Sequence, residues 1–155
     1  MKYLLKDVSE RLNSGKNIKS KDIFETGQFP VYGGNGLRGY TNTSNFKGEC
    51  VLIGRQGEHC GNVRYFSGEG YITEHAIILT AKKEFNTKYL FNLLSLYNLR
   101  RLSGQSAQPG LSVETLGNQK IDLPSFKEQS KIGELLFLID QQIELNSKIN
   151  DNLAA

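Results

Sequence analysis

The sequence predicts an α+β protein: a mixed, turn-rich globular domain of short strands and helices over residues 1–123, then one long coiled-coil-type helix over 124–155. Three features of the 155 residues predict it. Eleven of the 16 glycines lie between Gly27 and Gly70, with short apolar runs between them, and only Gly133 follows Gly117. Charge divides in a similar way: residues 1–110 carry 15 basic and 9 acidic side chains, a net of +6, and residues 111–155 carry 4 and 7, a net of −3. Finally, apolar residues recur at heptad spacing after a capping signal at Ser125. The whole-chain charge of +3 hides the division, and two regions of opposite sign point to two different jobs.

Taken in order, the segment from Lys6 to Leu12 reads as a short helix stopped by Asn13-Ser14-Gly15. The runs Phe29-Pro30-Val31-Tyr32, Cys50-Val51-Leu52-Ile53 and His75-Ala76-Ile77-Ile78-Leu79 are short, apolar and bounded by turn residues, as buried strands are. From Thr87 to Leu102 the apolar positions Tyr89, Leu90, Leu93, Leu94, Leu96, Tyr97 and Leu102 follow helical spacing. Asn86 or Thr87 can cap its start, and Arg100 and Arg101 suit the negative end of its dipole. A polar stretch from Gly104 to Gly110 leads to a short strand at 119–123, closed by Pro124.

Ser125 with Glu128 forms a capping box for the last helix, and no Gly or Pro interrupts the pattern from Ile132 to the end beyond it except Gly133. Ile132, Ile139, Asn146 and Leu153 fall seven apart, Leu135, Gln142 and Ile149 form the companion row, and Leu136 and Ile143 flank them. That is a two-row seam with Asn146 placed as a register-setting polar contact, so a partner helix is expected. The other reading is an amphipathic helix packed on its own domain.

Several function classes are excluded or weakened. No stretch approaches the roughly 18 apolar residues of a membrane span. The opening residues meet Asp7 too early to hold a signal-peptide core, so a soluble cytoplasmic protein is expected, with no membrane association. Cys50, Cys60, His59 and His75 could supply four zinc ligands, but His59 and Cys60 are adjacent and no Cys-x-x-Cys knuckle exists. Cys60 with His75 as nucleophile and base is a chance-level pairing; both histidines are expected to make local hydrogen bonds. The loop from Gly54 to Gly61 lacks the Gly-Lys-Ser/Thr ending of a phosphate loop, and Gly33-Gly34-Asn35-Gly36 precedes no helix pattern. No catalytic or metal site is expected.

Binding chemistry is better supported. Tyr32, Asn35, Arg38, Tyr40 and Asn42, then Arg55, Gln56, Asn62, Arg64 and Tyr65, interleave with glycines. Glycine lets a backbone approach a ligand closely, and Arg, Asn and Gln present the forked groups that read base edges. Lysines at 16, 19, 21, 47, 82, 83 and 88 suit phosphates. Composition alone leaves open a plain solvated surface.

Three stretches carry a family resemblance. The first runs from Gly27 through Gly33-Gly34-Asn35-Gly36 to Gly39-Tyr40. The second is Gly48-Glu49-Cys50-Val51-Leu52-Ile53-Gly54-Arg55-Gln56-Gly57 with Cys60-Gly61-Asn62-Val63. The third is Leu123-Pro124-Ser125-Phe126-Lys127-Glu128-Gln129-Ser130-Lys131-Ile132, leading through Leu135 and Ile139 to Ile143. Together they resemble one half of the specificity subunit of a type I restriction-modification system: a target recognition domain and its spacer helix. Such a subunit has two of each, so this chain corresponds to a half-size subunit or an excised half.

The resemblance implies a non-catalytic reader of double-stranded DNA. Modification (methyltransferase) subunits would methylate adenine, and a restriction/translocase subunit would cleave. S-adenosylmethionine, ATP and magnesium would sit only on those partners. Arg55 and Gln56 are the first candidates for base contact, followed by Tyr32, Asn35, Arg38 and Tyr40, then Arg100, Arg101, Gln105 and Gln108. The helix would form a homodimer through Ile132, Leu135, Ile139, Gln142, Ile143, Asn146, Ile149 and Leu153. A helix over 126–153 spans about 42 Å at ~1.5 Å per residue, or roughly 12 base pairs at ~3.4 Å each. A dimer is therefore expected to favour a bipartite inverted repeat. The alternative is a non-catalytic coiled-coil assembly module that binds another protein.

Overall fold

The two most apolar runs of the chain, 50–53 and 76–79, lie side by side in the middle of a sheet, where alternate side chains must find a dry partner on each face. The computed structural model describes residues 1–103 and 110–154. Those residues form β1 (Lys2–Leu4), α1 (Leu5–Val8), β2 (Ser9–Ser14), β3 (Phe29–Gly33), β4 (Gly36–Thr41), β5 (Phe46–Gly54), β6 (Val63–Ile72), β7 (Ala76–Ala81), α2 (Thr87–Ser95), α3 (Val113–Gly117), β8 (Lys120–Asp122) and α4 (Phe126–Ala154). Short 3-10 turns cover Ser20–Asp22, Gly57–His59 and Leu99–Leu102. The architecture is the expected α+β mixture with a long last helix.

Six strands make one sheet in the order β2-β7-β5-β6-β3-β4, and β1 pairs β8 in a separate ribbon. All pairings are antiparallel except β3 with β6. Period-2 alternation then divides the interior in two. Val51, Ile53, Ile77 and Leu79 face α1, α2, α3 and the ribbon, joined by Leu5, Val8, Leu90, Leu94, Leu116 and Ile121. Cys50, Leu52, Ala76 and Ile78 face the other way, onto Phe46, Phe66 and Ile72.

Two local expectations are corrected. The helix expected over 6–12 is only α1; residues 9–14 are strand β2, with Leu12 opposite Leu79 and Arg11 opposite Thr80. The apolar pair Val8 and Leu12 is four apart, as in a helix, but as a strand the segment pairs with β7 and lays Leu12 beside Leu79 against the core. The helix expected over 87–102 ends at Ser95, and residues 99–102 form a 3-10 turn. Leu90 and Leu94 are fully buried; at 100° per residue, a continued helix would bring Arg101 onto their face. The break brings Leu99 into the core instead. Arg100 and Arg101 are therefore not at the dipole end of α2.

The start of α4 is built as its sequence signals. Glu128 Oε2 accepts from the Ser125 N–H (3.1 Å) and from the Ser125 hydroxyl (2.6 Å), which holds the Glu128 carboxyl below the usual range. One side of the first turns docks on α2. A Cβ on Gly133 would lie 2.7 Å from Asn86 Oδ1 and 2.9 Å from Tyr89 N, so only glycine permits this approach. The buried Gln129 accepts from Asn86 N–H (3.1 Å) and donates to the Pro124 carbonyl (2.9 Å). Lys88 closes the contact, 3.0 Å from both Glu134 oxygens and 4.2 Å above the Phe137 ring.

Candidate nucleic-acid interface

Three connections meet at one end of the large sheet: the β3–β4 turn, the loop after β5 and the β6–β7 turn. Backbone packing holds them together. A Cβ on Gly34 would lie 2.9 Å from the His75 carbonyl and 3.4 Å from Gly54 Cα. The Arg55 N–H donates to that same His75 carbonyl (2.9 Å). Gly54 and Gly61 close the loop through Gly54 N–H to Asn62 O and Gly61 N–H to Gly54 O, both 2.8 Å. Gly61, at φ +86°, presses on the backbone of Leu99 and Arg100. A bridge between Gln56 and Gly110, with Leu111 N–H donating to Arg55 O (2.8 Å), brings a further segment to the same end.

This end gathers Asn35, Arg38, Arg55 and Gln56. Asn35 is exposed in the turn, and Arg38 is exposed beside Gly33, where a Cβ would lie 2.9 Å from Arg38 Cδ. Arg55 is half-buried and Gln56 exposed. Arg64 joins them from β6, its guanidinium lying over Gly36, where a Cβ would meet Cζ at 3.1 Å. The result is three guanidinium groups and two amides on a scaffold of hydrogen-bonded turns.

The other candidates lie elsewhere or behind. Arg100 donates from Nη1 to the Glu58 carbonyl (3.1 Å), bracing the loop from the rear. Arg101 donates to Gln119 Oε1 (3.0 Å), on the side of β8. The Tyr32 ring packs edge-on against Phe66 (5.1 Å) beside the outer core. Tyr40 is bonded through its backbone to Phe24, four residues from the turn, or about 13 Å along a strand. Gln105 and Gln108 lie outside the described residues.

Both histidines make the local contacts expected of them: His59 Nδ1 lies 3.3 Å from Asn62 Nδ2, and His75 Nδ1 lies 3.3 Å from Gln56 Oε1. Sequence reading missed Glu74, whose Oε1 lies 3.4 Å from His75 Nε2; an acidic residue in a turn carries no signal of its own. Cys50 and Cys60 belong to cores on opposite faces of the sheet, so the four zinc candidates do not converge. Burial pushes the Cys50 thiol up to about 12 and raises that of Cys60 too, which suppresses thiolate chemistry. The described residues hold no group of three or more potential metal ligands.

The second surface is on α4. Leu135 is 60% exposed, Ile143 62% and Leu153 80%, and Ile132, Ile139 and Ile149 are exposed as well. Leu138 and Leu145, not assigned to the seam from sequence, widen the stripe. Gln142 donates to Asn146 Oδ1 (2.9 Å) along it. The stripe lies roughly opposite the side carrying Gln129, Gly133 and Phe137. One face of the helix thus packs on its own domain, and the other is an exposed apolar stripe. Among the described residues, no helix is long and apolar enough to cross a membrane.

Known proteins resemble this chain in sequence and fold. The family model for the type I restriction modification DNA specificity domain matches residues 1–155. The chain is 37% identical over 134 residues to the Escherichia coli type I restriction enzyme EcoprrI specificity subunit, covering 84% of this chain and 33% of that protein. The crystal structure of a type I restriction-modification system S subunit from Mycoplasma genitalium superposes with a TM-score of 0.83 at 27% identity, over 96% of this chain and 41% of that one. The HsdS subunit of Thermoanaerobacter tengcongensis shares the fold, with a TM-score of 0.65 at 20% identity over 94% of this chain and 38% of that one. The chain therefore spans well under half the length of these relatives.

Proposed function

The chain belongs to the type I restriction modification DNA specificity family, and on that premise we propose that it reads one half-site of a bipartite duplex DNA target. The observation that carries the reading is the convergence of Asn35, Arg38, Arg55 and Gln56 on one rigid end of the sheet. Forked guanidinium and amide groups discriminate bases in the major groove, where each base pair presents its own donor and acceptor pattern. Arg64 and the scattered lysines hold phosphates, and Arg100 supports the loop that carries Arg55 and Gln56. In this reading residues 1–123 recognise DNA and residues 124–155 space and pair two copies.

The chain makes and breaks no bonds itself. Modification subunits methylate adenine and a restriction/translocase subunit cleaves, with S-adenosylmethionine, ATP and magnesium bound there, in the cytoplasm. Pairing two antiparallel helices covers the bare stripe of α4 and carries two domains to half-sites about one DNA turn apart.

The test is to co-express the chain with a modification subunit and map methylated adenines across a genome. A two-part motif with an unread spacer is the expected outcome; one continuous asymmetric motif excludes the paired reader. Absence of DNA dependence, with the helix still pairing, would instead identify an assembly module. Arg55→Ala is expected to weaken cognate binding by about 1–3 kcal/mol and random DNA much less. Equal losses on both would make Arg55 a phosphate contact.

A further inference from the structure

The exposed face of α4 reads the same in both directions. Its seam runs Leu135, Ile139, Gln142, Asn146, Ile149, Leu153: leucine at each end, isoleucine inside it, and a carboxamide on either side of Glu144. The spacings of four, three, four, three and four residues are symmetric too, and all six positions are exposed. Ile143 and Leu145 flank the centre and are exposed as well. Such a face is complementary to a second copy turned end for end, as a two-fold, antiparallel interface requires. A parallel pair would set each residue against itself and would need no such symmetry.

We propose that this pattern fixes the register of an antiparallel α4 pair, with the two-fold axis at Glu144 and a closed ring of four amides at the centre. The inference rests on the paired reader above and names what sets the distance between its two half-sites. In this register Leu135 meets the partner's Leu153, Ile139 meets the partner's Ile149, and Gln142 meets the partner's Asn146. Gln142 Nε2 already donates to Asn146 Oδ1 within one helix (2.9 Å). The Asn146 amino group then donates to the amide oxygen of the partner's Gln142, and the two-fold repeats both bonds. Each amide donates once and accepts once within the ring.

Sliding by one heptad keeps the helices interlocked but sets the amides against apolar side chains. In one direction Gln142 meets Ile139 and Asn146 meets Leu135; in the other they meet Leu153 and Ile149. At the axis Ile143 and Leu145 lie against their own copies and close off the centre. Either slip therefore buries all four amides without partners across the seam, which is costly and selects against it.

The register has a metric consequence. Gly133, where α4 is seated on α2, lies eleven residues before Glu144. The two seats therefore stand about 33 Å apart at ~1.5 Å per residue. That is roughly 10 base pairs at ~3.4 Å each, one turn of the duplex, so both domains meet the same side of the DNA. A slip of one heptad changes this distance by about 10 Å, or roughly 3 base pairs.

Cysteine pairs in the full chain read the register directly, because Cys50 and Cys60 are buried. Mixed copies carrying Leu135→Cys and Leu153→Cys are expected to form an intermolecular disulfide under mild oxidation. Copies carrying Ile132→Cys and Ile149→Cys meet only after a slip and are expected to stay unlinked. Linkage of the second pair, or of neither pair in a chain that sediments as a dimer, overturns the inference and leaves pairing itself standing. A chain that sediments as a monomer at every concentration removes both.

Gln142→Leu with Asn146→Leu makes each of these layers apolar, and the slipped register then gains Ile132 against the partner's Ile149. That double variant is expected to link the 132–149 cysteine pair. With the modification subunit it is expected to shorten the spacer of the methylated motif by about 3 base pairs, with the half-site bases unchanged. Gln142→Asn with Asn146→Gln keeps a polar centre and is expected to keep the original spacer. An unchanged spacer in Gln142→Leu with Asn146→Leu overturns the role given to the amides.

Discussion

The sheet domain and the long helix treat their apolar residues in opposite ways. In the sheet, Val51, Ile53, Ile77 and Leu79 are fully buried on one face, and Cys50, Ala76 and Ile78 on the other. On α4, the buried positions are Gln129 and Gly133, a polar residue and a glycine, while every leucine and isoleucine but Leu136 is exposed. A central strand has to satisfy two dry faces within its own chain. The helix needs only a close-fitting, hydrogen-bonded seat on α2, and its hydrophobic driving force is left for contact with something else. One region buries its apolar residues within its own chain, and the other leaves an apolar stripe exposed.

The largest expected effect lies in the sheet domain. Ile53→Ala leaves a cavity between β5 and the helical layer, and its unfolding free energy is expected to fall by about 2–5 kcal/mol. Urea denaturation followed by circular dichroism measures this. A loss below ~1 kcal/mol would mean that the site collapses around the gap, and the contrast with the helix would weaken.

An intermediate effect is expected at the joint. Gly133→Ala puts a methyl group against Asn86 Oδ1 and Tyr89 N, neither of which can withdraw without opening the cap of α2. Overpacking of this kind costs about 1–3 kcal/mol. The informative readout is the direction of α4, because that joint sets where the helix points relative to the reading end. In the methylation map, Gly133→Ala is expected to change the spacer or abolish the motif while leaving each half-site's preferred bases alone. Altered bases with an unchanged spacer would show that the joint and the reader are not separate parts.

The same contrast explains what was legible from sequence. The heptad rows, the Ser125–Glu128 cap and the glycine-bounded strands are local patterns, and each predicts its element without knowledge of the rest. The turn of Leu99 into the core and the pairing of Ser9–Ser14 with β7 depend on what lies opposite, so local spacing misreads both. The candidate site divides in the same way. Asn35, Arg55 and Gln56 stand in glycine-rich loops that mark themselves, with Arg38 just inside β4, whereas Glu74 acquires meaning only from a contact with His75. Tyr32 and Arg100 show the converse: residues with reading chemistry that the fold uses for packing and bracing.

The smallest expected effect is the sharpest test of the exposed stripe. Leu135→Ala exchanges one good helix former for another at a site that is 60% exposed, so the stability of the dilute monomer should shift by less than ~0.5 kcal/mol. Concentration should reveal what dilution hides. Beyond Phe137 the helix has little of its own domain to lean on, and an isolated helix of some 15 residues is marginal in water. Its helicity is then expected to rise with protein concentration as paired copies cover the stripe, and melting should become concentration-dependent. Leu135→Ala is expected to move that rise to higher concentration without changing the dilute limit, measured by circular dichroism with sedimentation equilibrium. A loss of about 2 kcal/mol at every concentration would mean that Leu135 packs within its own chain, and the helix would then be as self-sufficient as the sheet.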